Sequence, residues 1–179
     1  MSRIAIPPVE SATGATAALY DQIRKSVGGS LPNLYAALGH LAPSGLSAVL
    51  NAEGVLSSGS LDKPDLETIK LSVSAETGCD YCEAAHSLLG KMAGLSPGAL
   101  RAIRTDATTG EAKRDALLRF VRLILRTHGT LDEKEVAAIR AAGYSDTQLA
   151  DISLAIALTI YTNTFNRIND TAVDFPPVR

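Results

Sequence analysis

The sequence contains no tryptophan, only three phenylalanines and only two cysteines in 179 residues. It also lacks any apolar run close to the ~18 residues that a membrane-spanning helix requires; the longest candidate, "LAIALTIYT", is far shorter. The first residues, "MSRIAIPPVE", contain no apolar core of a signal peptide. We therefore expect a cytoplasmic protein that does not associate with membranes.

The net charge is also small. The formal net charge is −2 at pH 7, and the basic residues form no cluster. Nucleic acids and anionic membranes are bound mainly through clustered lysines and arginines, so we expect neither as a partner. A chain of this length can bury well over half of its unfolded surface and needs no disulfide framework. In the cytoplasm a close cysteine pair is more typical of redox chemistry, catalysis or metal binding than of a structural disulfide.

The spacing of apolar residues predicts helices along nearly the whole chain. No segment alternates as a strand does, and no Asn-Gly or Asp-Gly hairpin turn is present. The last predicted helix is apolar on nearly all sides up to Tyr161, so we expect it to be central. We predict an all-α fold of eight or nine helices in a single domain spanning residues 1–179, with extended tails at 1–12 and 171–179.

Several helix ends are marked by polar residues. Thr130 with Glu133, and Ser145 with Gln148, have the spacing of capping boxes and predict two helix starts. His128 falls at the predicted end of the preceding helix, where a cation suits the negative end of the helix dipole. These signals fix boundaries and say nothing about function.

Both cysteines occur in the segment "ETGCDYCEAAH". A helix that begins just after Gly78 places Cys79 at or before its N-terminus and Cys82 in its first turn, where the helix dipole favours a thiolate. His86 follows Cys82 by four residues on the same helix face and can accept or relay the thiol proton. Cys79 is close enough to form a disulfide with Cys82. A nucleophilic thiol, a proton carrier and a second thiol are what peroxide reduction or thiol–disulfide exchange requires.

A carboxylate beside His86 would orient its ring and raise its basicity. Glu67 lies on the preceding predicted helix, which must form a hairpin with the cysteine helix. Glu76 and Glu83 are nearer in sequence and compete for this role. Spacing alone leaves the choice among the three open.

Other interpretations of the cysteine pair remain. Cys79, Cys82 and His86 could supply three ligands to zinc, although neither His40 nor His128 lies near them in sequence. A redox sensor, a metal-dependent interaction module or two buried structural thiols are further alternatives. No glycine-rich phosphate loop follows a strand, so we expect no bound organic cofactor. Asn163 and Asn166 of the last helix could line a pocket, but helical asparagines more often face solvent, and we leave them out of the candidate site.

The pattern Glu67-x11-Cys79-x2-Cys82-x3-His86 resembles the signature of the alkylhydroperoxidase D family, within the carboxymuconolactone decarboxylase-like superfamily. The segments "CDYCEAAHSLLGKMAGLS" and "TNTFNRIND" are similar to that family as well, and the resemblance covers roughly residues 30–176. It implies an all-helical, oligomeric protein. One departure is Tyr81, where well-studied members carry a histidine; this bears on the electron donor and on the relay.

The resemblance also implies residue roles. Cys82 would attack a small organic hydroperoxide, Cys79 would then form the disulfide, and Glu67 with His86 would relay protons. An external dithiol or protein reductant would restore both thiols, and the protein would be a homo-oligomer. The decarboxylase members lack the cysteine pair, which disfavours lactone decarboxylation. A thiol–disulfide oxidoreductase without peroxide turnover is the main alternative.

Overall fold

The computed structural model describes residues 2–127 and 129–178, and its regular structure over these ranges is entirely helical. A short 3-10 helix, Val9–Ser11, precedes nine α-helices, and no strand occurs in the described ranges. The α-helices are α1 (Gly14–Ser26), α2 (Asn33–Leu41), α3 (Pro43–Ser57), α4 (Lys63–Thr77), α5 (Asp80–Met92), α6 (Pro97–Arg104), α7 (Ala112–Arg126), α8 (Glu133–Ala141) and α9 (Asp146–Asn169). The predicted all-α fold is confirmed. Within the part of the chain that the structure describes, no helix is long and apolar enough to cross a bilayer.

The chain ends differ in part from the prediction of extended tails. At the N-terminal end, Val9–Ser11 form a helical turn in which the Ser11 hydroxyl donates a hydrogen bond to the Pro8 carbonyl oxygen at 2.7 Å. The C-terminal residues 171–178 form no helix. They nevertheless pack on the molecule, since Phe175 contacts the ring of Tyr81.

The two predicted capping boxes have different outcomes. Ser145 accepts a hydrogen bond from the Gln148 backbone N–H, and the Gln148 side chain accepts one from the Ser145 N–H, so the box that begins α9 is confirmed. The box of Thr130 and Glu133 is wrong: α8 is preceded by Asp132 as N-cap, and Glu133 is its first residue. His128 lies outside the described residues.

Helix α4 is the most enclosed element, since it packs against α5, α6, α7 and α9. Its polar residues Thr68, Ser72 and Ser74 are fully buried. Thr68 and Ser74 donate their hydroxyl hydrogens to backbone carbonyl oxygens four residues earlier, both at 2.7 Å, which satisfies them inside the core. The central position expected for α9 therefore belongs to α4. Helix α9 packs against α4 and leaves Tyr161 and Ile168 exposed.

Two residues connect α4 to α5. Gly78 has a positive φ of 65°, the left-handed conformation that commonly ends a helix and that glycine adopts without steric penalty. The Cys79 N–H then donates to the Ser74 carbonyl oxygen at 3.0 Å, and α5 begins at Asp80. This short turn makes α4 and α5 a helical hairpin, as the sequence predicted.

A cluster of buried apolar residues surrounds the turn from α1, α2 and α3. Tyr20, Leu34, Leu38 and Leu46 are among its members, together with both cysteines. Within it, the Tyr20 hydroxyl donates to the Ala36 carbonyl oxygen at 2.6 Å. The cysteine pair thus lies in a packed apolar environment.

Replacement of Gly39 by alanine is expected to destabilise the fold by about 1–3 kcal/mol, because the added methyl group would overpack this cluster. Its Cβ would lie 2.5 Å from Tyr20 Cε1 and 2.9 Å from Leu46 Cδ2. The control is Gly54→Ala in α3, where a Cβ meets no atom within 4 Å; it should stabilise by about 0.5–1 kcal/mol. The measurement is the free energy of unfolding in urea. Equal effects at the two positions would contradict the close contact with Tyr20.

Candidate active site

The two cysteines occupy the N-terminal end of α5. Cys79 is its N-cap, and its sulfur accepts a hydrogen bond from the Cys82 backbone N–H at 3.3 Å. The two residues are joined by a disulfide with a Cα–Cα distance of 5.3 Å, and they are only 2% and 3% exposed. The geometry allows the pair to alternate between disulfide and dithiol with little movement of the backbone.

The N-terminal end of α5 donates a backbone hydrogen bond to the sulfur of Cys79 and not to that of Cys82. From the sequence we expected the N-terminal end of the helix to stabilise a thiolate in the first turn, where Cys82 lies. In the structure, however, the Cys82 N–H points at Cys79, so this backbone donor is not available to Cys82 itself. A thiolate at Cys82 therefore needs hydrogen-bond donors from elsewhere.

The structure brings Glu67 to His86. Glu67 Oε2 and His86 Nδ1 are 2.9 Å apart, and both side chains are largely buried. Burial alone would raise the pKa of Glu67, but the charge and hydrogen bond of His86, with a further contribution from Lys70, hold it below its usual value. The carboxylate stays ionised, occupies Nδ1 and leaves Nε2 as the nitrogen free to exchange a proton.

The two competing glutamates lie elsewhere. Glu76 forms ion pairs with Arg126 and Arg122 of α7. Glu83 is half-buried on α5 and has a raised pKa, chiefly because of burial, with Arg104 opposing the shift. Among the three candidates in the described chain, only Glu67 is hydrogen-bonded to His86.

A buried lysine extends the Glu67–His86 pair. The Lys70 side chain, which is 7% exposed, bonds through Nζ to Glu53 Oε2 of α3 at 2.6 Å. Its charge also lowers the pKa of Glu67. Glu53, Lys70, Glu67 and His86 thus form a row of groups in which acidic and basic side chains alternate. Lys70 was not among the residues predicted from the sequence, although its position three residues after Glu67 places both on one helix face.

Tyr35 of α2 borders the same row. Burial raises the pKa of its hydroxyl, and the negative charges of Glu53 and Glu67 raise it further. The phenol therefore stays protonated at physiological pH, and it can serve the site only as a neutral hydroxyl.

Helix α9 contributes three buried asparagines at spacing three: Asn163, Asn166 and Asn169. Each Nδ2 donates to a different neighbour. Asn163 bonds to Thr77 Oγ1 at 2.9 Å, Asn169 to Thr171 Oγ1 at 3.0 Å, and Asn166 to the Cys82 sulfur at 3.2 Å. The sequence analysis left Asn163 and Asn166 out of the site. No spacing rule links position 166 to position 82, so only the tertiary structure identifies this contact.

Tyr81 packs and does not reach the Glu67–His86 pair through any hydrogen bond found in the described chain. Its hydroxyl accepts a hydrogen bond from the Leu34 N–H at 3.2 Å, and its ring meets Phe175 edge-on with centroids 5.3 Å apart. Burial raises the pKa of Tyr81. Tyr81 therefore packs the C-terminal segment against α5.

A cleft of about 280 Å³ opens beside the turn between α4 and α5. Its lining includes Cys79, Asn166, Arg167, Asp170 and Val173. Cys82, Glu67 and His86 do not line it. Of the two bonded cysteines, Cys79 is therefore the one that borders this cleft.

Residues 2–127 and 129–178 contain no group of three or more His, Cys, Asp or Glu side chains that could hold a metal ion. Cys79 and Cys82 are bonded to each other and His86 to Glu67. His40 lies in a different depression, next to Pro8 and Tyr20.

Solved structures place the fold in a known class. A protein from Ralstonia eutropha JMP134, described as an alkylhydroperoxidase AhpD core and an uncharacterized peroxidase-related protein, is 20% identical with a TM-score of 0.86; the match covers 97% of this chain and 92% of that one. An uncharacterized peroxidase-related protein from Silicibacter sp. TM1040 is 19% identical, with a TM-score of 0.80 and coverage of 96% and 91%. The debrominase Bmp8, in complex with 2,3,4-tribromopyrrole, is 16% identical, with a TM-score of 0.74 and coverage of 97% and 94%. The fold is that of AhpD-like proteins.

The sequence comparison agrees with the fold. Residues 43–122 match the family model described as "Carboxymuconolactone decarboxylase family". This segment runs from α3 into α7 and contains Glu67, Cys79, Cys82 and His86. No curated protein matches the chain. The resemblance inferred from the four-residue signature is confirmed.

Replacement of Glu67 by glutamine is expected to lower the free energy of unfolding at pH 7, with a deficit that shrinks on acidification. The pKa of Glu67 is depressed in the folded state. The stabilisation that ionised Glu67 contributes is therefore complete above the pKa of the unfolded state, about 4.3, and is lost as the pH falls through the pKa of the folded state. Urea unfolding of both proteins between pH 7 and pH 3 measures this. The control is the exposed Glu10→Gln; a deficit for Glu67→Gln that does not vary with pH would contradict the ion pair.

Proposed function

We propose that the protein is a thiol-dependent peroxidase that reduces small organic hydroperoxides. The observation that carries the proposal is one helical hairpin that holds both a disulfide-forming cysteine pair and a His86–Glu67 hydrogen bond of 2.9 Å. Cys82 and His86 share one face of α5. The descriptions of two structural neighbours as peroxidase-related support the same class.

In the proposed cycle, Cys82 is the nucleophile. Its thiolate attacks the distal oxygen of the hydroperoxide, the O–O bond breaks, and the leaving alkoxide takes a proton to become the alcohol. His86, oriented by Glu67, accepts the thiol proton beforehand and supplies one to the leaving oxygen. Cys82 is left as a sulfenic acid.

Cys79 completes the oxidative half of the cycle. Its thiol attacks the sulfenic sulfur, the disulfide forms, and the released hydroxide leaves as water after protonation. An external dithiol or protein reductant then supplies two electrons and two protons and becomes a disulfide itself. The cleft on the Cys79 side gives such a thiol an approach. We place this cycle in the cytoplasm, where reduced thiols are abundant.

Single cysteine variants test these roles. Fully reduced wild-type protein treated without air with one equivalent of cumene hydroperoxide should lose both thiols and form one equivalent of alcohol. Cys79→Ser should stop at a sulfenic acid on Cys82, trapped by dimedone and located by mass spectrometry. Cys82→Ser should consume peroxide at least about a hundredfold more slowly, because the attacking thiol is gone. Peroxide consumption by Cys82→Ser at the wild-type rate would refute the assignment of the nucleophile.

Thiol–disulfide exchange is the second candidate, and one observation favours it. Cys79 receives the hydrogen bond of the helix N-terminus, which favours a thiolate at the first cysteine of the pair. Rapid reduction of a small disulfide by protein whose thiols resist the hydroperoxide would select this alternative. The debrominase among the structural neighbours shows that the fold also accommodates other reactions.

We further propose that the protein is a homo-oligomer in which α5 faces another subunit. Leu89 and Met92, which follow His86 on this helix, are 40% and 75% exposed. Apolar side chains exposed beside a site commonly mark a contact surface.

Replacement of Met92 by glutamate is expected to shift the protein to a smaller species, because a charge would be buried in that contact. Light scattering coupled to size-exclusion chromatography gives the molar mass. Val27→Glu, at an exposed valine outside α5, is the control and should leave the mass unchanged. A wild-type mass of about 18.7 kDa, that of one chain, would contradict the proposal directly.

A further inference from the structure

We propose that Asn166 is the residue that makes Cys82 the nucleophile of the pair, by donating a hydrogen bond from its side-chain amide to the Cys82 thiolate. The inference deepens the proposed function, since it concerns the same sulfur. It rests on a contact between helices that are distant in sequence. Asn166 Nδ2 lies 3.2 Å from Cys82 Sγ, and both residues are buried.

The need for this donor follows from the geometry of the turn. The backbone N–H that normally stabilises a thiolate in the first turn of a helix is directed at Cys79. On helix geometry alone, Cys79 is thus the more acidic thiol. Asn166 supplies Cys82 with a donor that the helix does not provide, and a hydrogen bond to an anionic acceptor is about twice as strong as one between neutral groups.

The Asn166 side-chain amide makes one hydrogen bond among the described residues, and that bond is to the Cys82 sulfur. Its Oδ1 is buried and has no hydrogen-bond partner among the described residues, so the sulfur contact is the one bond that fixes its amide. The neighbouring Asn163 bonds through Nδ2 to Ser74 and Thr77, which anchors α9 to the end of α4. Among the hydrogen bonds found in the described residues, none joins Asn163 to a sulfur, so Asn163 is a structural counterpart of Asn166.

The other groups around Cys82 divide into ionisable and apolar ones. The apolar neighbours in its cluster include Leu34 and Leu38 of α2, Leu46 of α3 and Phe165 of α9. Titratable groups on the packed elements include Cys79, Asp80, Tyr81, Glu83 and His86 of α5, Glu67 and Lys70 of α4, Tyr20 of α1, Tyr35 of α2 and Arg167 of α9. The variants described below leave all of these groups except Cys79 unchanged. A difference in Cys82 ionisation between the Asn166 and Asn163 variants therefore reports on the Asn166 amide.

The test measures thiol ionisation and needs no peroxide. In a Cys79→Ser background, the rate of alkylation of Cys82 by iodoacetamide is followed from pH 5 to pH 10. Asn166→Leu, which keeps the branching of the side chain and introduces no polar group, should raise the midpoint by about one pH unit, so that about tenfold less thiolate is present at a fixed lower pH. Asn166→Ala is the second variant and should shift the midpoint in the same direction. Asn163→Leu, the matched control, should leave the midpoint in place.

A second experiment checks that Asn166 affects the ionisation of Cys82 and not that of Cys79. With Cys82→Ser, alkylation of Cys79 should have the same midpoint before and after the replacement Asn166→Leu. An unchanged Cys82 midpoint in both Asn166 variants, or an equal shift in Asn163→Leu, would overturn the inference. A shifted midpoint in protein that does not consume cumene hydroperoxide would leave the inference standing and refute the proposed function instead.

Discussion

The two-residue turn of Gly78 and Cys79 is the constraint on which the site depends. Because the left-handed Gly78 terminates α4 and only Cys79 separates it from α5, the helices must lie side by side. That arrangement brings Glu67 and His86 within hydrogen-bond distance, although 19 positions separate them. It also fixes which sulfur caps the helix. A longer connection would free the angle between the helices, and the carboxylate would lose its defined place at the imidazole.

Local patterns together with the family resemblance led to four residues on this hairpin, although Lys70 of α4 was missed. A helix break at Gly78, the four-residue spacing of Cys82 and His86, and the resemblance that selected Glu67 led to residues that the structure holds together. Asn166 could not be found in this way, because it reaches Cys82 only through the packing of α9. Its buried position also reverses the usual expectation that a helical asparagine faces solvent.

The central position of α4 was missed for a related reason. Its buried face includes Thr68, Ser72 and Ser74, and a pattern of polar residues suggests an exposed surface. Small hydroxyl side chains let neighbouring helices come close, and those of Thr68 and Ser74 bond to carbonyl oxygens of their own helix, so neither leaves an unpaired hydrogen in the core. Hydrophobicity is therefore a poor guide to burial where close helix contact matters more than apolar area.

The ion pair of Lys70 with Glu53 has a consequence for how this site can change over evolutionary time. Loss of Glu53 alone would strand a buried ammonium group beside Glu67, and loss of Lys70 alone would leave two carboxylates near one tyrosine. Replacement of either residue alone should therefore destabilise the folded protein, whereas replacement of both by apolar residues should be tolerated. We expect positions 53 and 70 to covary among related chains, so that the partly exposed glutamate on α3 is retained only where the buried lysine beside Glu67 is retained.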